Sequence, residues 1–510
     1  MKRFFSLALG AAIVAAAAAP LNAAEIRVGF TLDALTLDPA NHRKRETETI
    51  IRNMYDGVLT RDAKMAIVPE LAESYRQIDA TTYEFKLRKG VKFHNGDPMT
   101  ADDIKFTFDR LIKENAMGGQ TSPRKSLLGP LKDVVVVDPL TVRFQLSASW
   151  PILPAMLPFQ EVVSKKFVEA NGHEALATKV NGTGPFKLVE WRKGDAIIME
   201  RFNDYYGGAA SIAPVGKACV DRVIFKVIPE NASRVAALLA GDVDIINELP
   251  AHTVKQVEAN SNTRVMSVRG TRSFFLALNT KAAPLNDVRV RQALAHAIDK
   301  KLLIDRILGG HATAINGILS PDAFGFDPAL PAYGYDPERA KKLLADAGFK
   351  DGIDLVLDTE GAQKETAEAI AAVARKGGFK IRVVVSEGSQ LNTKWRTKKE
   401  AGAGEMFFSS WGNGSLDPFD IFDPTHVTDG RGNSSFYSNP ALDKLLADAG
   451  AELDQGKRAV LYKQAQAIIA KELPYVYLWV PADLYGVSKR LAGWQPSADS
   501  RINLHDACVK

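Results

Sequence analysis

Residues 83–96 read YEFKLRKGVKFHNG, and this stretch shows how the chain is built. Its first five residues alternate between apolar and polar side chains, which predicts a strand with one buried face. Gly90 turns the chain into a second short strand, and residues 94–97 make another turn. Thr100 and Asp103 then have the spacing of a capping box, so a helix is predicted to begin there.

Strands and helices keep alternating on both sides of this stretch, which predicts an α/β or α+β fold. No internal repeat and no low-complexity linker divides the sequence. Further strands are predicted at 25–30, 134–137, 141–146, 223–228, 243–246, 274–278 and 473–480. Helices are predicted at 232–240, after 286–287 through 298, from 336–337 to 348, and from 439–440 to 450.

The composition is that of an ordinary folded protein. The chain has 510 residues, of which 46% are hydrophobic and 25% charged, and a prior of roughly 150 residues per domain predicts two to four domains. The 65 basic and 60 acidic residues leave a net charge of +5. Because this excess is small and spread thinly, no nucleic-acid partner is predicted.

The N-terminus predicts export. Lys2 and Arg3 precede an uncharged run at 4–19, and small residues follow up to Ala24. This pattern indicates a signal peptide at 1–24, cut after Ala23 or Ala24, although an uncut anchor helix is the alternative. No cysteine lies near the cut, so no lipid anchor is predicted and the mature protein is expected to be free outside the cytoplasmic membrane.

Two cysteines, Cys219 and Cys508, remain in the exported chain. Export permits a disulfide between them, but two buried thiols are an equal alternative on sequence alone. No C-x-x-C motif is present, so neither a thioredoxin-like site nor a zinc knuckle is indicated.

A search for catalytic motifs finds none. The glycines of 182–184 are followed by Pro185 and lack the spacing of a phosphate loop. Gly-x-Ser-x-Gly is absent, and His173 lacks the second histidine of a zinc protease. Asp420 and Asp423 lack the pattern of a calcium loop and are predicted to cap turns beside prolines. We therefore predict no enzyme, no catalytic residue, no cofactor and no metal ion.

The segment 409–415, SSWGNGS, follows the apolar strand residues 406–408. A loop of this composition lets the backbone approach a ligand while the indole supplies an apolar wall. The alternative is a plain turn after a strand.

Several strings together resemble solute-binding protein family 5 of ABC importers, the peptide-, nickel- and opine-binding group. The resemblance runs in order through essentially the whole mature chain. The strings are PELAESY at 69–75, the stretch 83–96, GTGPF at 182–186, NDYYG at 203–207, LNDVRVRQALAHAI at 285–298, YDPERAKKLLADAG at 335–348 and YSNP at 437–440.

The resemblance implies an α/β, two-lobed fold of the type II periplasmic-binding-protein kind with an extra domain. Lobe I would comprise 25–55, 184–270 and 488–510, the extra domain 56–183, and lobe II 271–487. Both cysteines then fall in lobe I, which favours the disulfide. The implied function is the periplasmic component of an ABC importer. It would act as a monomer, close on a peptide-like or other small polar solute, and deliver it to the inner-membrane permease. The alternative class is an exported hydrolase acting on peptides or glycans.

The resemblance places the loop after 406–408 at the ligand, which makes Trp411, Asn413, Gly414, Ser415 and Asp417 candidates. Peptide binders of the group carry an aspartate three residues after the tryptophan, where this chain has Gly414. The arginine that meets a peptide carboxylate has no clear counterpart in 355–364. Modified peptides, glutathione-like molecules, opines, sugars and phosphorylated sugars therefore all remain open.

Four further residues are candidates for the cleft, each with an ordinary alternative. Arg272 is the predicted ligand cation, or else forms a salt bridge between domains. Asp33 could face the cleft or belong to a turn, and Phe274 could stack on the ligand or lie in the core. Trp395 is a weaker candidate beside Arg396, which could equally be a solvated helix charge.

Overall fold

A computed structural model describes residues 24–397 and 404–510. Apart from Ala24, the predicted signal peptide at 1–24 lies outside these residues. Within the two described ranges, no helix has both the length and the apolar character that crossing a bilayer requires.

The strands are numbered in chain order. They are β1 Glu25–Phe30, β2 Leu59–Arg61, β3 Ile67–Pro69, β4 Ala72–Asp79, β5 Thr82–Leu87, β6 Leu131–Asp138, β7 Thr141–Leu146, β8 Phe186–Arg192, β9 Ala196–Arg201, β10 Arg222–Val227, β11 Ile245–Ile246, β12 Thr263–Arg269, β13 Arg272–Leu278, β14 Ala312–Ala314, β15 Ile353–Thr359, β16 Phe379–Val385, β17 Met406–Gly412, β18 Tyr475–Ser488, β19 Leu491–Ala492 and β20 Cys508–Val509.

The α-helices are numbered in the same way. They are α1 Arg45–Ile51, α2 Ala101–Ile112, α3 Leu153–Met156, α4 Lys165–Asn171, α5 Asn231–Ala240, α6 Val254–Ala259, α7 Val288–Ala297, α8 Lys300–Ile307, α9 Pro337–Asp346, α10 Lys364–Ala374, α11 Gly388–Asn392, α12 Phe419–His426, α13 Pro440–Ala451 and α14 Gln455–Glu472.

The largest sheet has twelve strands in two parts that share β18. The first half-sheet, β1 and β8–β12, contains both parallel and antiparallel pairs, and the second half-sheet is β13–β17. Residues 475–479 of β18 pair with β13, whereas residues 482–488 pair with β12. Beside this change of partner, the backbone N–H of Gly270 donates to the carbonyl of Pro481 at 3.0 Å. Two chain segments therefore cross side by side between the half-sheets.

A separate four-stranded antiparallel sheet has the order β4-β5-β7-β6. Helix α2 packs on this sheet. The ring centroid of Phe144 lies 4.7 Å from that of Phe108 in the helix and 4.9 Å from that of Phe85. The predicted capping box of this helix is confirmed, because Thr100 and Asp103 bond each other's backbone N–H groups. The mixture of these layers confirms the α/β class.

Other predicted elements are present with shifted ends. The Asp336 and Asn439 side chains accept from backbone N–H groups and begin α9 and α13, as expected. The late strand is longer than predicted, because β18 continues from the second half-sheet into the first. The GTGPF glycines have a packing role. A Cβ on Gly184 would lie 2.7 Å from the backbone nitrogen of Tyr55.

Cys219 and Cys508 form a disulfide, with Cα atoms 5.2 Å apart. The bond ties the segment before β10 to the C-terminal strand β20. Of the two alternatives left by the sequence, the structure therefore has the disulfide.

Candidate functional site

A cavity of about 910 Å³ lies where the two half-sheets meet. Residues 481–484 line it at the crossing of β18. From the first half-sheet come residues of the segment 43–49, around the start of α1, and residues 247–249 after β11. From the second come Arg272 and the end of β17 at 410–412. A molecule bound here would contact both half-sheets.

Trp411 lies on one wall of this cavity. The prediction placed it in a loop, but β17 continues through it and pairs it with Ser273 of β13. Its ring packs on the backbone of Gly432, where a Cβ would lie 2.6 Å from the ring atom Cη2. The guanidinium groups of Arg396 and Arg431 lie 5.1 and 4.7 Å from the indole centroid. Strand pairing and this packing together hold the indole in place.

Arg272 and Arg45 reach the cavity from opposite half-sheets and meet at Gly412. Their Nη2 atoms lie 3.4 and 3.5 Å from the position that a Cβ on Gly412 would take. Arg272 also donates to Ser410 Oγ at 3.3 Å, and Arg45 to Ser500 Oγ at 2.8 Å.

The pKa of Arg272 reflects this setting. Water reaches its side chain, yet protein surrounds it on most sides, and this burial together with repulsion from Arg45 lowers its pKa to about 10. Arg272 therefore remains charged at neutral pH, and the guanidinium of Arg45 lies beside it.

The described residues that line the cavity include five carboxylates, Glu46, Glu48, Glu248, Asp420 and Asp483. Three of them accept hydrogen bonds from neighbouring side chains. Glu48 accepts from Arg501 Nε at 2.8 Å. Asp483 accepts from the Ser500 hydroxyl, and burial raises its pKa. Asp420, predicted only to cap a turn, lines the cavity and accepts from Ser415 Oγ at 3.0 Å. Burial raises the pKa of Asp420 as well.

Three candidates from the segment after β17 lie behind the cavity wall rather than on it. Asn413 and Ser415 are buried, and Ser415 Oγ donates to Asn413 Oδ1 at 3.2 Å and to Asp420. Asp417 is paired with Arg458. Gly414 does line the cavity.

Trp395, Phe274 and Asp33 are also placed away from the cavity. Trp395 is fully buried and stacks on Phe407 at 5.5 Å, so its indole belongs to the core. Phe274 packs against Phe408, with ring centroids 5.9 Å apart. Asp33 accepts from Trp191 Nε1 at 2.9 Å and does not line the cavity.

Of the predicted candidates, the structure brings together Arg272, Trp411 and Gly414. Sequence reasoning missed Arg45 and Arg431 and gave Arg396 little weight. The basic run RKR at 43–45 was the available signal for Arg45, but a charge run usually marks a solvated surface. In the described part of the chain, no group of three or more His, Cys, Asp or Glu residues could hold a metal ion.

Two half-sheets joined by adjacent crossings, with a cavity lined from both, are the arrangement of the two-lobed solute-binding proteins. The chain belongs to the bacterial extracellular solute-binding proteins, family 5, whose family model matches residues 66–433. It is the substrate-binding component of an ABC importer and not an enzyme, and the hydrolase alternative finds no support.

Similar proteins cover nearly the whole chain. The glutathione-binding protein GsiB of Pectobacterium atrosepticum is 28% identical over 98% of this chain and 96% of its own. The structure of HbpA2 from Haemophilus parasuis is 26% identical and covers 95% of this chain and 100% of its own, with a TM-score of 0.85. The periplasmic binding protein DppA of Helicobacter pylori, solved with the peptide STSA, is 28% identical with a TM-score of 0.79 and covers 95% and 98%.

Proposed function

We propose that this protein captures a small polar solute in the cavity at Trp411 and Arg272, closes around it, and delivers it to its membrane permease. The observation that carries the proposal is the lining of one cavity by both half-sheets across two adjacent crossings. A ligand that contacts both sides favours the closed state, because only differential affinity can shift such an equilibrium. Reversing a 99:1 open preference takes about 5.5 kcal/mol of such affinity.

The proposed moving bodies are the predicted lobes, 25–55 with 184–270 and 488–510 against 271–487, with 56–183 as the extra domain. Strand pairing supports a division of this kind, since β11 and β12 pair with residues 482–488 of β18, whereas β13 and β14 pair with residues 475–481. Residues 482–488 of β18 pair with β12, which supports a second crossing near Pro481, before the predicted boundary at 487.

We also propose that the protein is exported with cleavage of the 1–24 segment and acts in the periplasm as an unanchored monomer. The family consists of extracellular proteins, and its Helicobacter pylori relative is a periplasmic binding protein; both support this location. The basic start and apolar run of the first 24 residues support the export signal.

The test combines binding with shape. Purified protein is screened by thermal shift against peptides, opines, sugars and organic acids, and hits are measured by calorimetry and small-angle scattering. We expect a hit to raise the melting temperature, to be recovered unaltered, and to lower the radius of gyration.

Trp411→Ala should weaken that hit about tenfold or more, since the indole forms a cavity wall. Trp191→Ala is the matched control, because Trp191 lies outside the cavity and contacts Asp33. If Trp411→Ala and Trp191→Ala bound the hit with equal affinity, this cavity would not be the binding site. Turnover of the hit would contradict solute capture.

A further inference from the structure

We propose that the captured solute is a net anion whose carboxylate or phosphate group binds between Arg45 and Arg272. The inference rests on the proposed function and names the chemical class of its ligand. Two guanidinium groups from opposite half-sheets converge beside Gly412, each with an Nη2 atom about 3.5 Å from the same point. An anion there would bridge both half-sheets, so the contact that selects the ligand would also favour closure.

Gly412 makes this convergence possible. Any side chain at position 412 would start within van der Waals distance of both guanidinium groups and occupy the space between them. A guanidinium presents a planar fork of N–H donors that matches the oxygens of carboxylate and phosphate. Two forks facing one open space therefore form a receptor for an oxyanion.

The nearest carboxylates offset this receptor only in part, because Asp483 and Glu46 attract the charge of Arg272 without forming an ion pair with it in the described part of the chain. Among the described residues, none of the cavity arginines Arg45, Arg272, Arg396 and Arg431 has a carboxylate within the 4.0 Å of an ion pair. Serine hydroxyls hold Arg45 and Arg272, and Arg396 donates to Ser409 Oγ at 2.9 Å. The Ser500 hydroxyl in turn donates to the Asp483 carboxylate, so Asp483 offsets part of the charge of Arg45 across that hydroxyl.

Arg396 also has an unused donor. Its Nε is buried and lacks a hydrogen-bond partner among the described residues. By contrast, the Glu48 carboxylate forms an ion pair with Arg501 at 2.6 Å. The described residues that line the cavity include seven lysine and arginine side chains and five carboxylates, so the lining has an excess of basic groups. These basic groups extend from the Arg45–Arg272 pair to the two arginines on the Trp411 indole.

The test uses probes that differ in one charge. Alanyl-alanine, its N-acetyl derivative and its C-terminal amide share one dipeptide backbone and are zwitterionic, anionic and cationic, respectively. Succinate and glucose 6-phosphate supply a dicarboxylate and a phosphate, with glucose as the neutral partner. Each is titrated by calorimetry and thermal shift at constant ionic strength into the wild-type protein, Arg272→Gln, Arg45→Gln and the control Arg289→Gln. Arg289 is exposed and paired with Asp287 away from the cavity.

We expect at least one anionic probe to bind the wild-type protein and the control equally and to lose tenfold or more affinity in each cavity variant. The amide and glucose should not bind. Whether succinate and the N-acetyl peptide or glucose 6-phosphate binds more tightly distinguishes a carboxylate ligand from a phosphate ligand.

Circular dichroism and melting curves of the variants establish that they are folded. A neutral or cationic probe that binds Arg272→Gln as tightly as wild type overturns the anion proposal and leaves solute capture standing. Failure of all probes, in a protein that also binds nothing in the wider screen, overturns both. If the wider screen finds a ligand but no anion binds, the anion proposal alone is overturned.

Discussion

Arg458 and Asp417 form a buried ion pair with two hydrogen bonds, Nη1 to Oδ2 at 2.7 Å and Nη2 to Oδ1 at 2.6 Å. Asp417 follows the end of β17, and Arg458 belongs to α14. Arg458 Nε also donates to the carbonyl of Ala449 at 3.0 Å, which ties the pair to α13. A residue predicted to touch the ligand thus anchors the segment that carries Gly414.

Asp417→Asn should lower the free energy of unfolding by about 3–5 kcal/mol, because it leaves a buried guanidinium without its counter-charge. The measurement is urea unfolding followed by circular dichroism. Asp448→Asn is the control, since Asp448 pairs with Lys444 at 2.7 Å on the surface and should cost only about 0–1 kcal/mol. Equal losses in the two variants would mean that burial of the Asp417 pair contributes nothing.

Gly432→Ala should reduce ligand affinity, because the new methyl group would overlap the Trp411 ring and displace it from the cavity wall. Gly334→Ala is the matched control, since a Cβ there meets no atom within 4 Å. Calorimetry with the best ligand, together with the fluorescence spectrum of the tryptophans, measures the effect. An unchanged affinity and spectrum in Gly432→Ala would show that the indole position does not depend on this glycine.

Removing the Cys219–Cys508 disulfide should lower the free energy of unfolding by about 2–5 kcal/mol, since the bond closes a very long loop in the unfolded chain. The double variant Cys219→Ser, Cys508→Ser is compared with the oxidised wild-type protein by urea unfolding. Dithiothreitol should destabilise the wild-type protein and leave the variant unchanged. If dithiothreitol also destabilised the variant, the effect of the reductant would not come from breaking this disulfide.

Glu161 should make stability depend on pH. Its side chain is buried, both carboxylate oxygens lack a hydrogen-bond partner among the described residues, and burial with repulsion from Glu48 raises its pKa to about 7. The folded protein therefore binds this proton more tightly than the unfolded chain, whose glutamates titrate near pH 4.3. The stabilisation is fully present below about pH 4 and is lost as the pH rises through about 7.

Glu161→Gln removes that titration. Between pH 5 and pH 8, the free energy of unfolding of this variant should therefore fall by about 2 kcal/mol less than that of the wild-type protein. Asp56 and Glu70, whose pKa values burial also raises, should preserve part of the slope. The exposed Glu169 supplies the control variant Glu169→Gln. A wild-type slope in Glu161→Gln, measured by urea unfolding at each pH, would contradict the assignment.

Much of the fold could be predicted from local patterns in the sequence. The alternation at 83–87, the Thr100 capping box and the Asp336 and Asn439 caps are interactions between near neighbours, so each can be recognised from spacing alone. The end of β17 was harder to predict, because Trp411 is kept in the strand by pairing with Ser273, which is distant in the sequence.

Residue chemistry and the family resemblance together pointed to part of the candidate site. An indole beside glycines after a buried strand indicated Trp411, the resemblance indicated Arg272 at the start of β13, and both line the cavity. The same reasoning selected Trp395 and Asp417, whose composition and spacing do not reveal that one stacks in the core and the other pairs with Arg458.

The amino-acid sequence was therefore sufficient to predict the alternating elements, their caps and the membership in a class of solute-binding proteins. The convergence of Arg45 and Arg272 at Gly412 arose only on folding, because these residues come from distant segments that pack together at the crossing of β18. A charge's role depends on which other charges lie within a few ångströms of it, and that distance is a property of the packed chain.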